Sequence, residues 1–402
     1  MVHGNDHTGA GGVGPLDASS PGGPCLDSVE TPCLVLDRTR LNVNIARMRT
    51  RASQLGVTLR PHLKSAKSVD VARLAVCALN GRIAVSTLKE ADYFANAGYR
   101  DILYAVGITA NKVAHAAALR RRGVELSLVL DSVDAVKTIS ARAAAEGVDF
   151  PVLVELDTSG HRSGVRPCDP DLITIGREVA KSRSLRLAGV MAHAGESYRC
   201  TSLAAISVVA ELERATAVEA ATRLRAAAVP VSQVSVGSTP TALFARSLQG
   251  VTELRAGVYM FFDLVMAGLG VCKIEDIAVS VLTTVIGHRT DRDWLIVDAG
   301  WMALSRDRGT ADQRIDQWYG VVCGTDGRAL NDVLVLSVNQ EHGIVGARPG
   351  SPPLDLSRFP LGSQLRILPN HACATAAQHD SYLVVGRDGR SIEAAWPRLN
   401  GW

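Results

Sequence analysis

Eight short runs rich in leucine and β-branched residues alternate with longer helix-like segments between residues 57 and 257. The intervening segments are rich in alanine, leucine and arginine, which favour helix. Eight parallel strands with helices between them close most naturally into a (β/α)8 TIM-type barrel, whose active site lies at the carboxyl ends of the strands. An open doubly wound sheet is the alternative. The predicted strands are 57–62, 82–86, 101–106, 125–131, 151–157, 185–193, 231–237 and 251–257.

The pattern changes after about residue 275. Short apolar runs separated by turn residues follow, with no long helical segment, which predicts an antiparallel β domain. We therefore predict an α/β chain with a disordered extension over 1–30, a barrel domain over 31–275 and a β domain over 276–402. The opening strand at 31–37 precedes the barrel and is a candidate to pair with the β domain.

Composition excludes several classes of protein. The formal net charge is only +3, without the basic clusters of a nucleic-acid surface. No apolar run approaches the roughly twenty residues of a membrane helix, and the first thirty residues lack the pattern of a signal peptide. The eight cysteines show no paired spacing. We therefore expect reduced thiols and a cytoplasmic protein.

Polar residues follow the ends of several predicted strands, so they are expected to meet at one rim of the barrel. Gly237, Ser238 and Thr239 precede a proline at a probable helix start, and this segment offers backbone N–H groups and two hydroxyls for a phosphate. Lys64 follows the first strand. A lysine facing a phosphate site is the arrangement that pyridoxal phosphate requires, because the amine forms an imine with the cofactor aldehyde. The other rim residues are Arg162, His193, Gly257 and Tyr259.

A second candidate site lies in the β domain. His371 and Cys373 flank one alanine after a proline that ends a strand, so in an extended conformation their side chains point the same way. Imidazole and thiolate are good zinc ligands, and two protein ligands leave positions open for substrate and water. His379 and Asp380 follow closely and are candidates to orient a ligand imidazole.

The motifs RPHLKSAK, HRSG, HAGESY, GSTPT, RAGVYMFFD, DAGWMALSRD, NQEHG, PNHAC and WPRLNGW cover the chain from about residue 30 to its end. Together they resemble the D-threonine aldolase and D-serine dehydratase family, the metal-dependent branch of the alanine-racemase-like (fold-type III) pyridoxal phosphate enzymes. The resemblance implies that Lys64 forms the Schiff base and that Arg162 lies near the phenolic oxygen of the cofactor. It also implies that the phosphate is surrounded by Ser238, Thr239, Gly257 and Tyr259, that His193 lies near the cofactor, and that His371 and Cys373 bind the metal.

The family implies a lyase acting on D-β-hydroxy amino acids. Dehydration of D-serine or D-3-hydroxyaspartate gives a 2-oxo acid and ammonia, whereas aldolase chemistry gives glycine and an aldehyde. Cys373 resembles the dehydratases more than the aldolases, which carry a carboxylate there. A thiolate favours zinc, with manganese or magnesium as alternatives. A racemase is a less favoured reading, and a small pyridoxal phosphate-binding homeostasis protein would lack the β domain.

The family also implies a homodimer with its active site at the subunit interface and a small-molecule substrate, with no nucleic-acid or membrane partner. Two departures from the family pattern concern the rim. Ser65, Ala66 and Lys67 stand where many members have Thr-His-Lys, and Gly195, Glu196 and Ser197 stand where many have Gly-His-Ser. These losses leave the substrate and the second base open.

Overall fold

The computed structural model describes residues 24–76, 81–160 and 162–402. Most of the expected disordered extension therefore lies outside the described residues. Residues 24–30 differ from that expectation, because they pack on the β domain. Leu26 is fully buried there, and its backbone N–H donates to the carbonyl of Arg390 at 3.1 Å. The first strand, β1 (Cys33–Asp37), pairs with two strands of the same domain.

Eight parallel strands form a nearly closed barrel in which each strand is followed by a helix or helical turn. The order around the sheet runs from β2 through β9, β8, β7, β6, β5 and β4 to β3. A bridge between His62 and Ala84 brings the two ends together. The predicted TIM-type barrel is confirmed, and the open sheet is excluded. The strands are β2 (Thr58–Pro61), β3 (Ile83–Val85), β4 (Asp101–Gly107), β5 (Glu125–Leu130), β6 (Phe150–Leu156), β7 (Leu185–Ala192), β8 (Gln233–Val236) and β9 (Glu253–Ala256).

Several helices begin where a side chain accepts from one of their first backbone N–H groups. Thr87, Ser132 and Ser202 each accept from the N–H of the residue three positions later. The longest helix, α7, runs along the outside of the barrel and reaches the loops after β7 and β8. The helices are α1 (Arg38–Gln54), α2 (Val69–Ala75), α3 (Leu88–Asn96), α4 (Val113–Arg121), α5 (Val133–Glu146), α6 (Pro170–Lys181), α7 (Leu203–Ala226), α8 (Thr239–Phe244), α9 (Leu264–Gly268), α10 (Trp301–Leu304) and α11 (Ala372–Ala376).

The β domain is a nine-stranded, mainly antiparallel sheet. β1 lies inside it, antiparallel to β10 and parallel to β16, so the described chain passes through this domain before it forms the barrel. This pairing ties the two domains together through the start of α1. The remaining strands are β10 (Val279–Arg289), β11 (Trp294–Val297), β12 (Val321–Cys323), β13 (Ala329–Val338), β14 (Gly343–Ala347), β15 (Gln364–Leu368), β16 (Ser381–Val385) and β17 (Ile392–Pro397).

The barrel interior is packed and carries one buried polar network. Along β9 the side chains alternate, so Glu253 and Arg255 both point inward. Glu253 pairs with the Nε of Arg60 at 2.8 Å and accepts from Ser235 at 2.6 Å. These charges are hydrogen-bonded, as buried ionic groups must be. Within the described ranges, no helix has the length and apolarity needed to cross a membrane.

Candidate active site

A cavity of about 1260 Å³ opens at the carboxyl ends of the barrel strands. Lys64 enters it from the loop after β2, and His193 from the end of β7. The β domain closes another side with His371 and Cys373. One cavity therefore contains both the predicted lysine and the predicted metal pair. The pair lies at the rim of its own barrel.

The turn that carries Lys64 begins at His62, whose imidazole also lines the cavity. Burial, Lys64 and Arg255 hold the pKa of His62 well below its usual value, so the ring is neutral at pH 7. Its Nδ1 atom is buried and has no hydrogen-bond partner among the described residues. On the neighbouring loop, a Cβ at Gly257 would lie 2.7 Å from the carbonyl of His62, so glycine permits the two loops to touch.

The loops after β7 and β8 are held together by Glu213, a buried residue of α7. Its carboxylate accepts from the backbone N–H of Ala194 at 2.8 Å and of Gly237 at 3.0 Å. It also accepts from the hydroxyl of Thr241 at 2.8 Å. Burial raises the pKa of this carboxyl, and the hydrogen bonds partly offset that rise.

The segment Gly237–Ser238–Thr239 adopts a different hydrogen-bonding pattern from the one expected. The N–H of Ser238 donates to Thr241, so the N–H groups of Gly237 and Ser238 are used within the loop. Gly237 has φ +132°, and a Cβ there would lie 2.2 Å from the carbonyl of Arg255. Only glycine tolerates that conformation and that contact.

The predicted phosphate residues do not all reach the cavity. Ser238 and Thr239 line it, with the hydroxyl of Ser238 2.9 Å from that of Ser197. Tyr259 is fully buried, and within the described chain it is not part of the cavity lining. Its backbone N–H donates to the Thr239 hydroxyl at 3.1 Å. Tyr259 therefore holds the Thr239 hydroxyl without itself reaching the cavity. Tyr198 lines the cavity, and its hydroxyl bonds the backbone of Thr239.

His193 is a neutral side chain with a defined tautomer. Its Nδ1 lies 2.9 Å from the carbonyl of Gly237, which can only accept, so Nδ1 carries the proton and Nε2 does not. Burial lowers the pKa of this imidazole to about 4. His193 is therefore a hydrogen-bond acceptor within the cavity at neutral pH.

Arg255 and Arg162 both contribute positive charge to the cavity. Arg255 is buried and donates to the Ser235 hydroxyl and to the Ala192 carbonyl, each at 2.6 Å. Burial lowers its pKa to about 10, which leaves it a cation at pH 7. Arg162 lines the edge of the cavity, where its side chain is 62% exposed and lies 3.5 Å from Glu155.

The metal pair is positioned at the start of α11. His371 precedes this helix and Cys373 lies in its first turn, so the two are not the extended pair expected from sequence. The backbone N–H of Ala372, between them, donates to the buried carboxylate of Asp263 at 3.0 Å. Asp263 caps α9, just after the barrel. It therefore fixes the pair against the rim.

Asp307 orients the imidazole of His371. Its carboxylate lies 2.7 Å from Nδ1, which leaves Nε2 for a metal. Burial opposes protonation of His371, but Asp307 and Cys373 outweigh it and raise its pKa to about 11. Burial raises the pKa of Cys373, but His371 and Ser65 outweigh that effect and the net pKa is lowered. Without a metal, these shifts favour an imidazolium beside a thiolate; a divalent metal would replace the proton on the imidazole, and both groups are donors that suit such a metal.

Some sequence candidates lie elsewhere. The Nε2 of His379 lies 3.0 Å from the carbonyl of Ala303, so this ring is bonded away from His371. Asp307 orients the His371 imidazole, the role that was expected of His379 and Asp380. Asp307 stands in the DAGWMALSRD motif, which is the signal that could have found it. Asp263 ends RAGVYMFFD in the same way. Glu213 has no such signal, because it lies inside a long helix of alternating alanines and charges.

Two family models match the chain. Residues 36–265 match the N-terminal domain of alanine racemase, and residues 278–385 match a putative serine dehydratase domain. The D-threo-3-hydroxyaspartate dehydratase of Delftia sp. (strain HT23) is 52% identical, over 94% of this chain and 99% of that protein. Its solved structure superposes with a TM-score of 0.91, covering 94% of this chain and all of that one. A cysteine-to-alanine mutant of the same enzyme is described in a metal-free form.

More distant relatives include both kinds of lyase. The D-serine dehydratase of Dictyostelium discoideum is 31% identical, over 92% of this chain and 97% of that protein. The structure of D-threonine aldolase from Filomicrobium marinum is 26% identical with a TM-score of 0.79, covering 93% and 96% of the two chains. Similarity of sequence and similarity of fold thus point to the same group of dehydratases and aldolases.

Proposed function

Since this chain belongs to the D-threonine aldolase and D-serine dehydratase family of alanine racemase-like enzymes, we propose that it is a D-threo-3-hydroxyaspartate dehydratase dependent on pyridoxal phosphate and a divalent metal. The observation that carries the proposal is that Lys64 shares its cavity with His371 and Cys373. An amine and a metal donor pair are the two functional groups that this elimination needs. The net reaction converts the substrate to a 2-oxo acid and ammonia.

Lys64, the neutral imidazoles and the glycine loops fit the cofactor. Bound pyridoxal phosphate would hold the substrate amine covalently and accept the electron pair released at Cα. Lys64 supplies the amine that binds the cofactor aldehyde, and its Nζ then serves as the base for the α-proton. Ser238 and Thr239 would hold the phosphate, and Arg162 lies at the cavity edge. The unprotonated Nε2 of His193 would accept a hydrogen bond from the bound cofactor or substrate.

The metal would act as a Lewis acid on the β-hydroxyl of the substrate. His371 and Cys373 hold it, and Asp307 keeps the imidazole in the correct tautomer. A thiolate favours zinc over manganese or magnesium. The proton that the Nζ of Lys64 takes from Cα would pass to the departing hydroxide, so that one water leaves. Hydrolysis of the resulting imino acid then consumes one water and releases ammonia.

Unpaired cations at the cavity favour a dicarboxylate substrate over D-serine. Arg199 and Arg314 line the cavity, and neither has a carboxylate partner in the described part of the chain. A 3-hydroxyaspartate carries one more carboxylate than serine does. Guanidinium groups bind carboxylates through two parallel hydrogen bonds. Arg199 and Arg314 thus offer partners for the second carboxylate.

The decisive experiment compares products. The purified protein, loaded with cofactor and zinc, is incubated with D-threo-3-hydroxyaspartate, D-serine or D-threonine, with and without a chelator. We expect 2-oxo acid and ammonia, fastest from D-threo-3-hydroxyaspartate, and loss of activity with the chelator. Glycine and an aldehyde would instead establish the aldolase alternative. Absence of a visible chromophore that borohydride fixes on Lys64 would refute the cofactor assignment.

We also propose a cytoplasmic homodimer. Val106, which lines the cavity, and Ile315, which follows the cavity residue Arg314, are apolar and more than two-fifths exposed. Exposed apolar groups that cluster around a site mark a contact surface. The seven described cysteines are all free, as in a reducing compartment. Sedimentation of the active enzyme as a monomer would refute the dimer.

A further inference from the structure

We infer that Tyr382, Arg398 and Leu399 position Lys64 for catalysis, and we name these three residues the C-terminal clamp. This inference rests on the proposed function, in which Lys64 binds the cofactor. The clamp belongs to β16 and to the tail after β17, far from Lys64 in sequence. None of its members lines the cavity in the described structure, so they act on the lysine only through its turn.

Each of the three residues after Lys64 is bound by the β domain. The Oγ of Ser65 lies 3.0 Å from the Sγ of Cys373. The hydroxyl of Tyr382 donates to the carbonyl of Ala66 at 2.6 Å. The N–H of Leu399 donates to the carbonyl of Lys67 at 2.7 Å. The turn therefore has a separate partner at every position that follows the lysine.

Arg398 directs the hydroxyl of Tyr382. Its Nε donates to the phenolic oxygen at 3.1 Å, so the phenolic proton points to the carbonyl of Ala66. Arg398 is 6% exposed, and its guanidinium also donates to the carbonyl of His379 at 3.3 Å. No carboxylate pairs with it among the described residues. A buried cation without a counter-ion needs every such hydrogen bond, which fixes its position.

The backbone of the turn also needs external support. Lys67 has φ +46°, a left-handed conformation that residues other than glycine seldom adopt. Its N–H closes the turn by donating to Leu63 at 2.7 Å. Its ammonium lies 3.3 Å from the fully buried carboxylate of Glu90. Leu399 holds the other face of this residue, so the clamp and Glu90 together maintain the unfavourable conformation.

The consequence concerns the placement of the Lys64 amine. A reacting group displaced by about 1 Å loses as much as a hundredfold in rate. The clamp prevents such a displacement because it fixes the two carbonyls that follow the lysine. The C-terminal motif WPRLNGW, none of whose residues lines the cavity, thereby acquires a role in the reaction.

The test uses Tyr382→Phe, which removes one hydroxyl and keeps the ring that packs against Phe261. We expect kcat to fall about tenfold, with KM, cofactor affinity and metal content within about twofold of wild type. The pH midpoint of the lysine–cofactor chromophore should shift. Amide exchange in the peptide 63–68 should accelerate, because the turn loses a partner.

Two further variants keep the inference falsifiable if the first is poorly folded. A chain ending at Arg398 removes the N–H of Leu399 and should lower kcat similarly. Arg398→Lys should retain more activity than Arg398→Ala, since a cation still meets the phenol. Tyr104→Phe is the matched control: it loses a hydroxyl bonded to Lys112 at 3.0 Å, elsewhere on the barrel, and should leave kcat unchanged.

The inference is overturned if Tyr382→Phe and the shortened chain both keep kcat, the chromophore midpoint and the exchange of 63–68 within twofold of wild type. It is also overturned if these variants only lower thermal stability, as Tyr104→Phe would. Failure of the proposed function looks different. In that case the wild-type protein itself shows no chromophore that borohydride fixes on Lys64.

Discussion

The Sγ of Cys373 lies 3.0 Å from the Oγ of Ser65, the residue that follows Lys64. This contact joins the two domains at the point where their functional groups meet. A metal held by Cys373 and a substrate held through Lys64 would therefore be neighbours. The relative position of the domains decides the chemistry, because neither domain carries both groups.

Loss of the Asp307 carboxylate should weaken metal binding. Asp307→Asn replaces the charged acceptor that lies 2.7 Å from the Nδ1 of His371 with a neutral amide, and zinc affinity should fall about 10- to 100-fold. Competition with a chromogenic chelator measures this directly. Asp291→Asn, in an exposed turn beside Arg289, is the control and should bind zinc as wild type does. Equal affinities for the two variants would remove Asp307 from the metal site.

Glu213 should stabilise the two loops, after β7 and β8, that we propose as the phosphate site. Glu213→Ala leaves the buried N–H groups of Ala194 and Gly237 without acceptors, which should lower the free energy of unfolding by about 2–4 kcal/mol and weaken cofactor binding. Glu213→Gln keeps one oxygen and should lose less. Urea unfolding and cofactor titration measure the two effects. Glu211→Ala, exposed on the same helix, should change neither; a loss as large there would point to the helix alone.

Stability should fall on acidification because of His193. Its folded pKa of about 4 lies below the usual 6.5, so the folded state binds fewer protons than the unfolded state between these values. The stability contribution is present above pH 6.5 and is lost as the pH falls towards 4. At pH 5 the loss is about 2 kcal/mol.

The check compares urea unfolding of the cofactor-free protein at pH 7 and pH 5, for wild type and His193→Asn. The variant should lose less stability between the two pH values. A hydrogen bond lost by substitution affects both pH values equally and cancels in this difference. An identical pH dependence in both proteins would mean that His193 titrates normally.

Arg314 should determine the preference for a second carboxylate. It follows Asp307 within one segment of the β domain, so we place it near the β-substituent that faces the metal. Arg314→Ala should reduce kcat/KM for D-threo-3-hydroxyaspartate about tenfold or more relative to D-serine. The same ratio measured for Arg199→Ala shows whether the other unpaired arginine of the cavity has an equal effect. Arg306→Ala, stacked on Trp301 outside the cavity, should leave the ratio unchanged. An unchanged ratio in Arg314→Ala would exclude this role.

The amino-acid sequence by itself determined the barrel and the rim residues. Alternating apolar runs and helical segments report local burial, and parallel strands bring their carboxyl ends together whatever the loops do. The position of Lys64, His193 and Ser238 at this rim could be predicted for that reason. The pair His371 and Cys373 was predicted from ligand chemistry and remains a prediction as a metal site, and its expected extended geometry was wrong.

Only the tertiary structure decided which groups support these residues. Glu213 holds two loops from a helix, Asp307 reaches His371 across 64 residues of chain, and Tyr382 reaches Ala66 across 316. Such partners leave no local pattern, because a hydrogen bond depends on distance in space and one polar residue in a helix or strand resembles any other. The domain packing that brings them together is set by the whole buried core, which no short stretch of sequence encodes.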